Sequence, residues 1–281
     1  MQNPVLDEET REAKERSVEG QKRKNRFFLF QFKWLVRIAS VAAFLIAWQI
    51  VGAQLNPILI STPTTVFESF IGLIEGGQFP AALAETLETF AVGYLLGCGL
   101  GIFVGAIMAR SKVVENALDP YINALFATPF VALIPLFITW FGIGYTTRVV
   151  VVILSVVFVM IINSLAGFRD VSKSVVEMGR SFGLSGLPLY RKIVVPASIP
   201  YIVAGLRLAV GRGLVGIIIA EIFLQMVGIG YLLEVFADDV FQVGNLLAIT
   251  IVIGVIGVCL TEALKYVEKK VAIWRMTATL G

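Results

Sequence analysis

Residues 177–200 read EMGRSFGLSGLPLYRKIVVPASIP, a polar, basic stretch punctuated by glycine and proline and set between long apolar runs. Gly183, Gly186 and Pro188 interrupt the helical pattern midway. Glycine accepts the left-handed backbone that closes one helix, and proline suits the first turn of the next. The stretch therefore predicts two short helical arms joined by a tight bend. Its second arm carries Arg191 and Lys192 beside Ile193, Val194 and Val195, and Pro196 and Pro200 are expected to stop that arm and re-aim the chain. Taken alone, such an elbow is either an ordinary basic loop or a surface where a soluble partner meets a membrane protein.

The flanking runs place it in a membrane protein. Of 281 residues, 57% are hydrophobic and 15% charged, a balance outside that of soluble domains. A bilayer crossing needs about 20 apolar residues, and such runs fall near 34–54, 86–108, 123–141, 149–168, 201–225 and 245–267. Six transmembrane helices are expected. The net charge of +3 does not suggest a nucleic-acid partner, but its distribution is informative. Lys and Arg crowd residues 11–37, the turn with Arg110 and Lys112, the 177–200 elbow, and the tail with Lys265, Lys269, Lys270 and Arg275. The segments between spans one and two and between five and six offer Glu68, Glu75 and Glu85, then Glu234, Asp238 and Asp239. Positively charged loops stay on the cytoplasmic side, so both termini and the elbow are expected inside. Arg148, between spans three and four, is the lone contrary charge.

Residues 1–25 are too polar to fold alone and read as a cytoplasmic tail. Residues 26–37, with Phe27, Phe28, Phe30, Phe32 and Trp34 among basic residues, read either as an interfacial helix or as the aromatic start of the first span. No removable signal peptide is expected. The external segment after span one includes Thr64 and Thr65 as candidate helix caps. Cys98 and Cys259 lie in apolar runs and read as small buried hydrophobes, giving neither a disulfide framework nor a metal site. Histidine is missing, which removes the commonest metal ligand and general base.

Within the spans, Gly93, Gly97, Gly101 and Gly105 recur every four residues, a small-residue ridge of the kind that lets helix backbones approach closely in lipid. Gly205 and Gly213 repeat the pattern in span five, so spans two and five are the candidates for the buried centre. Pro129 and Pro135 interrupt span three, either lining a cavity or making a packing kink. Arg207 is placed to snorkel, whereas Arg212 and Glu221 lie deeper, roughly 13 Å apart along a helix axis, and are candidates to line a translocation path. Residues 211–216, GRGLVG, match a dinucleotide fingerprint, but a membrane helix surrounds them and no strand precedes them, so that reading is rejected. No GxxxxGK[ST] loop occurs.

The elbow resembles the EAA signature of binding-protein-dependent ABC-transporter permeases: EAA, three residues, Gly, nine residues, Ile, one residue, Leu-Pro. Glu177, Gly183, Ile193 and Pro196 match at unbroken spacing; Met178 and Gly179 replace the alanines, and Val195 the leucine. Gly179 is expected to loosen the first arm, since glycine costs about 1 kcal/mol relative to alanine in a helix. Thr128-Pro129, residues 134–137, 140–144 and 220–222, and Gly228-Ile229-Gly230-Tyr231 resemble the nitrate, sulfonate and taurine branch.

The resemblance implies an all-α type I importer bundle in a bacterial inner membrane, multi-pass, with a core over 83–267 and its signature loop at 168–200. Residues 26–82 would hold the interfacial helix, first span and external segment, and 268–281 a cytoplasmic tail. It further implies a second permease copy, a cytoplasmic ATPase and an external solute-binding protein as partners. The chain would bind no cofactor, ATP and magnesium being used by the ATPase. Glu177, Gly179, Phe182, Gly183, Leu187, Tyr190, Arg191, Ile193 and Pro196 would form the ATPase-coupling loop, with Leu184 and Leu189 also filling a groove on the ATPase. The substrate implied is a sulfonate, taurine or nitrate-like nutrient, with a pyrimidine-type or other aromatic nutrient as the alternative. A stand-alone secondary transporter or channel is the competing function. An intramembrane enzyme lacks a catalytic constellation in the sequence.

Overall fold

The structure is a computed structural model that describes residues 34–57, 59–238 and 242–271, with side chains to Glu268. The tail and interfacial-helix expectations for 1–33, and most of the C-terminal tail, lie outside the described residues. Two compact units divide between Thr65 and Val66. In the first, α1 (Trp34–Gln54) is tied to the segment that follows it: Trp48 Nε1 donates to the Ser61 carbonyl at 2.9 Å. Helix α2 (Pro63–Glu75) is capped by Thr62, whose Oγ1 accepts from Thr65 N at 3.3 Å. The cap thus falls one turn before Thr65, not on Thr64 or Thr65, because Pro63 occupies the first helical position, where its fixed φ and missing N–H are harmless.

The second unit continues with α3 (Gln78–Arg110), α4 (Lys112–Ala127), a 3-10 turn (Phe130–Leu133), α5 (Ile134–Phe141), α6 (Tyr145–Arg169), α7 (Lys173–Ser181), α8 (Gly186–Leu189), a π turn (Tyr190–Val194), α9 (Val195–Leu224), α10 (Ile229–Asp238) and α11 (Val243–Val271). Among the described residues, five helices are long and apolar enough to cross a membrane, and a sixth crossing exists if the pair around Thr128-Pro129 is one broken span.

That third span differs from its expectation. Helix α4 begins at Lys112, and the chain turns by 86° between Ala127 and Phe130. Thr128 and Pro129 are both extended there (ψ 130 and 90), as the residue before a proline prefers. Pro135 bends nothing. It sits in the first turn of α5, where its missing donor has no helical partner to lose. Pro196 likewise opens α9 and Pro200 lies within it, so neither proline stops the second arm or re-aims the chain, which runs on through the π turn as one helical span.

The core is a sandwich of α3, α6 and α9 around Phe90, Val152, Val156, Met160, Ala209 and Ile217. Each glycine of the α3 ridge receives a residue of α6: a Cβ on Gly93 would lie 2.6 Å from Val152 Cβ, and one on Gly105 2.9 Å from Ser164 Cβ. On α9, Gly205 faces Asn163 and Gly213 faces Val156 and Phe90. The most buried span is therefore α6, at 61% against 44% for the α8–α9 span and 33% for α3, and not the glycine-bearing pair. Glycine ridges form the grooves, and the bulky helix seated in them lies at the centre. Cys98 is buried as expected, but Cys259 is exposed on α11.

Gly101 gives the sharpest test of this packing. A Cβ there would meet Met160 Cβ and stand 2.8 Å from the Val157 carbonyl oxygen. Backbone cannot step aside as a side-chain tip can, so Gly101→Ala is expected to destabilise the protein by about 1–3 kcal/mol, read as a lower melting temperature of the solubilised protein. Gly99→Ala, with open space around its Cβ, is expected to leave it unchanged.

Candidate functional site

The elbow has the predicted two-armed form. Helix α7 ends in a complete C-capping motif: Gly183 N donates to the Arg180 carbonyl at 2.9 Å and Leu184 N to the Gly179 carbonyl at 3.1 Å, with Gly183 at φ +77. This is the double-bonded closure that requires a left-handed residue just past the helix. Gly186, at φ +56, then opens α8. Gly179 does not loosen the first arm. It is buried, and a Cβ would lie 2.8 Å from Leu189 Cδ1 and 3.1 Å from Ile193 Cγ1, so its lack of a side chain lets α7 press against the second arm.

The apolar residues of the elbow divide into two sets. Phe182 is 80% exposed and Leu187 71%, so both project from the bend. Leu189 is buried under Gly179, joining the two arms, and Tyr190 packs on Phe168 of α6 with ring centroids 5.5 Å apart, tying the elbow to the bundle; neither is presented outward. Ile193 and Pro196 are half-buried, and Glu177, Arg180, Arg191 and Lys192 are exposed around the projecting pair. The root is fixed from both sides: Arg169, in the last turn of α6, pairs with the buried Glu115 of α4, and the Tyr201 hydroxyl of α9 donates to Asp170.

From Gly186 to Leu224 the chain is a continuous helical span of 39 residues, roughly 60 Å of rod. The second arm of the elbow is thus the beginning of the same rod that carries Arg212 and Glu221. Arg212 lines a cavity of ≈ 150 Å³ beside the broken third span, with Pro129 but not Pro135 in its wall. Glu221 is absent from that lining.

Glu221 instead lies in the last turn of α9, fully buried at 0% exposure. The Thr86 hydroxyl of α3 reaches both its carboxylate oxygens at 2.9 Å, and Gly230 N donates to Oε2 at 3.0 Å. Thr86 in turn accepts from Ile229 N at 2.9 Å. Arg148, at the start of α6, approaches Glu221 to 3.6 Å and Glu85 to 2.8 Å. Side chains at Gly228 (φ +93) or Gly230 would collide with Glu221, so these glycines let the backbone wrap the carboxylate. Four elements, α3, α6, α9 and α10, are joined there by one buried acid. Thr86 escaped the sequence reading as a site residue, and Glu85 entered it only as an acidic residue between spans one and two. The available signal was Arg148: a carboxylate at membrane depth requires a partner, and Arg148 was the cation on that side.

The decisive comparison is with sequence families. The profile of the binding-protein-dependent transport system inner membrane components matches residues 97–273. The chain belongs to this family. Relatives named aliphatic sulfonates transport permease protein SsuC are 29% identical in Bacillus subtilis, over 87% of this chain and 89% of theirs, and 33% identical in Escherichia coli, over 71% and 78%. A chain of the MetNI methionine ABC transporter in an inward-facing conformation superposes with a TM-score of 0.58 at 15% identity, covering 68% of this chain and 94% of that one; this likeness concerns the fold. The permease is thus a multi-pass inner-membrane transport subunit of an ABC importer, and not an enzyme.

Proposed function

We propose that this permease carries a small organic anion of the sulfonate class, delivered by a solute-binding protein, and that its elbow couples the path to a cytoplasmic ATPase. One observation carries the coupling: Phe182 and Leu187 project from a rigidly capped bend whose second arm is continuous with α9. Exposed apolar residues ringed by Glu177, Arg180, Arg191 and Lys192 have the core-and-rim composition of an interface. By the positive-inside rule this end, which also carries Arg110 and Arg169, faces the cytoplasm. Closure of a pair of ATPase subunits would press on two elbows, so a second copy of the permease completes the assembly. ATP and magnesium belong to the ATPase.

In this mechanism the elbow moves as a solid piece, because Leu189 and Ile193 fill the space beside Gly179. The rod then transfers that displacement to Arg212 and to the Glu221 junction, shifting the path between outward and inward access. The substrate class rests on the names of the relatives and on the cation in the path. Proteoliposomes holding the permease, its ATPase and its binding protein are expected to accumulate ethanesulfonate only with ATP and binding protein present. Uptake by the permease alone, driven by an ion gradient, would establish a secondary transporter instead.

A further inference from the structure

Arg212 lies midway along α9, exposed, with no acidic partner among the described residues. Its assigned interaction is with the face of Phe126, 5.5 Å from guanidinium carbon to ring centroid. An unpaired cation at that depth is costly against lipid and is tolerated facing water or a counter-charge. Arg212 faces the cavity at the α4–α5 break, where it is the one ionisable residue in the lining. The remaining wall is of two kinds. Phe126, Phe130 and Phe158 supply aromatic surface, with Phe130 and Phe158 stacked at 5.5 Å and 7°. Thr128 and Ser155 supply hydroxyls. Each already donates to a carbonyl of its own helix, Ala124 and Val151, which leaves Arg212 as the charged donor of the wall. Gly216, one turn beyond Arg212, lets α9 pack closely on α6 at the edge of the cavity, since a side chain there would overlap Ser155 Oγ.

The geometry points to a substrate subsite for an amphiphilic mono-anion in this cavity, with Arg212 taking the charged head and the Phe126 and Phe158 rings taking the carbon body. A single guanidinium among apolar walls complements an ion with one charged end. A bare inorganic oxyanion such as nitrate would meet ring surface where it needs hydrogen bonds. The volume of ≈ 150 Å³ matches that of an engineered apolar cavity that admits benzene, room for a short carbon body. The cavity also lies on the rod that continues from the elbow, beside the 86° break in the third span. This subsite rests on the importer reading above and specifies its substrate class.

Two measurements test it. In proteoliposomes of the complete importer, Arg212→Gln is expected to lower ATP-driven uptake of butanesulfonate at least tenfold, with assembly unchanged by size-exclusion chromatography. Phe126→Ala is expected to reduce butanesulfonate uptake more than ethanesulfonate uptake. The second measurement is independent of transport. On a Cys98→Ala, Cys259→Ser background, Ser155→Cys is expected to react roughly tenfold faster with an anionic sulfonatoethyl thiosulfonate than with its trimethylammonium counterpart. Adding Arg212→Gln should erase that preference. Unchanged butanesulfonate uptake by Arg212→Gln, a Ser155→Cys thiol unreactive to both reagents, or equal reactivity to both would overturn the subsite while leaving the importer intact. Dissociation of Arg212→Gln into single copies would make Arg212 an assembly contact and overturn it too. A wild-type complex without ATP-driven uptake of any sulfonate would instead remove the substrate reading itself.

Discussion

Glu221→Leu is expected to destabilise the permease by about 3–5 kcal/mol, because it removes the one fully buried counter-charge of Arg148, whose side chain is 5% exposed, and the hydrogen-bond acceptor of Thr86 and Gly230. Glu85 remains as a partner but is 39% exposed, so it cannot replace the interior contact. The variant should melt at a markedly lower temperature in detergent and lose uptake with its fold. Thr86→Val is expected to act in the same direction by about 1–3 kcal/mol, since the hydroxyl serves two clients, the carboxylate and Ile229 N. The discriminating variant is the double substitution Arg148→Leu, Glu221→Leu. Removing both charges leaves neither stranded, so its loss of stability should be smaller than the sum of the single losses. Additive losses would show that the two residues act separately. Wild-type melting of Glu221→Leu would reject the junction as a stabilising element.

Disabling the elbow should be equally severe for transport and much milder for the fold. Gly183→Val places a β-branched residue at φ +77, a conformation costing of order 1–3 kcal/mol for such residues, and the two capping bonds at the end of α7 depend on it. Membrane insertion should persist while uptake and co-purification with the ATPase collapse. Phe182→Ala separates contact from geometry. A side chain 80% exposed contributes little to folding, so melting should not change. Loss of a central interface anchor worth about 2 kcal/mol corresponds to roughly thirtyfold weaker association with the ATPase. Retention of full uptake and ATPase binding in both variants would reject the coupling role.

The elbow shows how far local sequence carries. Gly183 and Gly186 could be assigned left-handed conformations from residue type alone, and both have them. The same reading placed Leu189 and Tyr190 on the outer surface, where their size and apolarity suit an interface equally well. Their burial depends on Gly179 and Phe168, neighbours defined by how α7 and α6 pack. Pro135 makes a related point. Proline forbids a helix interior but permits a helix start, and sequence does not say which position a given proline will hold. The glycine ridge correctly marked close packing on α3, yet the helix it accommodates, α6, carries its own qualification as valine and methionine bulk, which reads as ordinary lipid-compatible sequence.

By itself the sequence determined the membrane character, the approximate spans, the segregation of basic from acidic ends and the family, because each follows from residue type and spacing along one chain. Tertiary structure decided which helix lies at the centre, which elbow residues project, and that Arg212 faces a cavity while Glu221 is locked in a junction. The physical reason is range. Hydropathy and backbone preference are properties of neighbouring residues, whereas the carboxylate of Glu221 is satisfied by Thr86, 135 positions away, and only the packing of α3 against α9 brings the two within bonding distance.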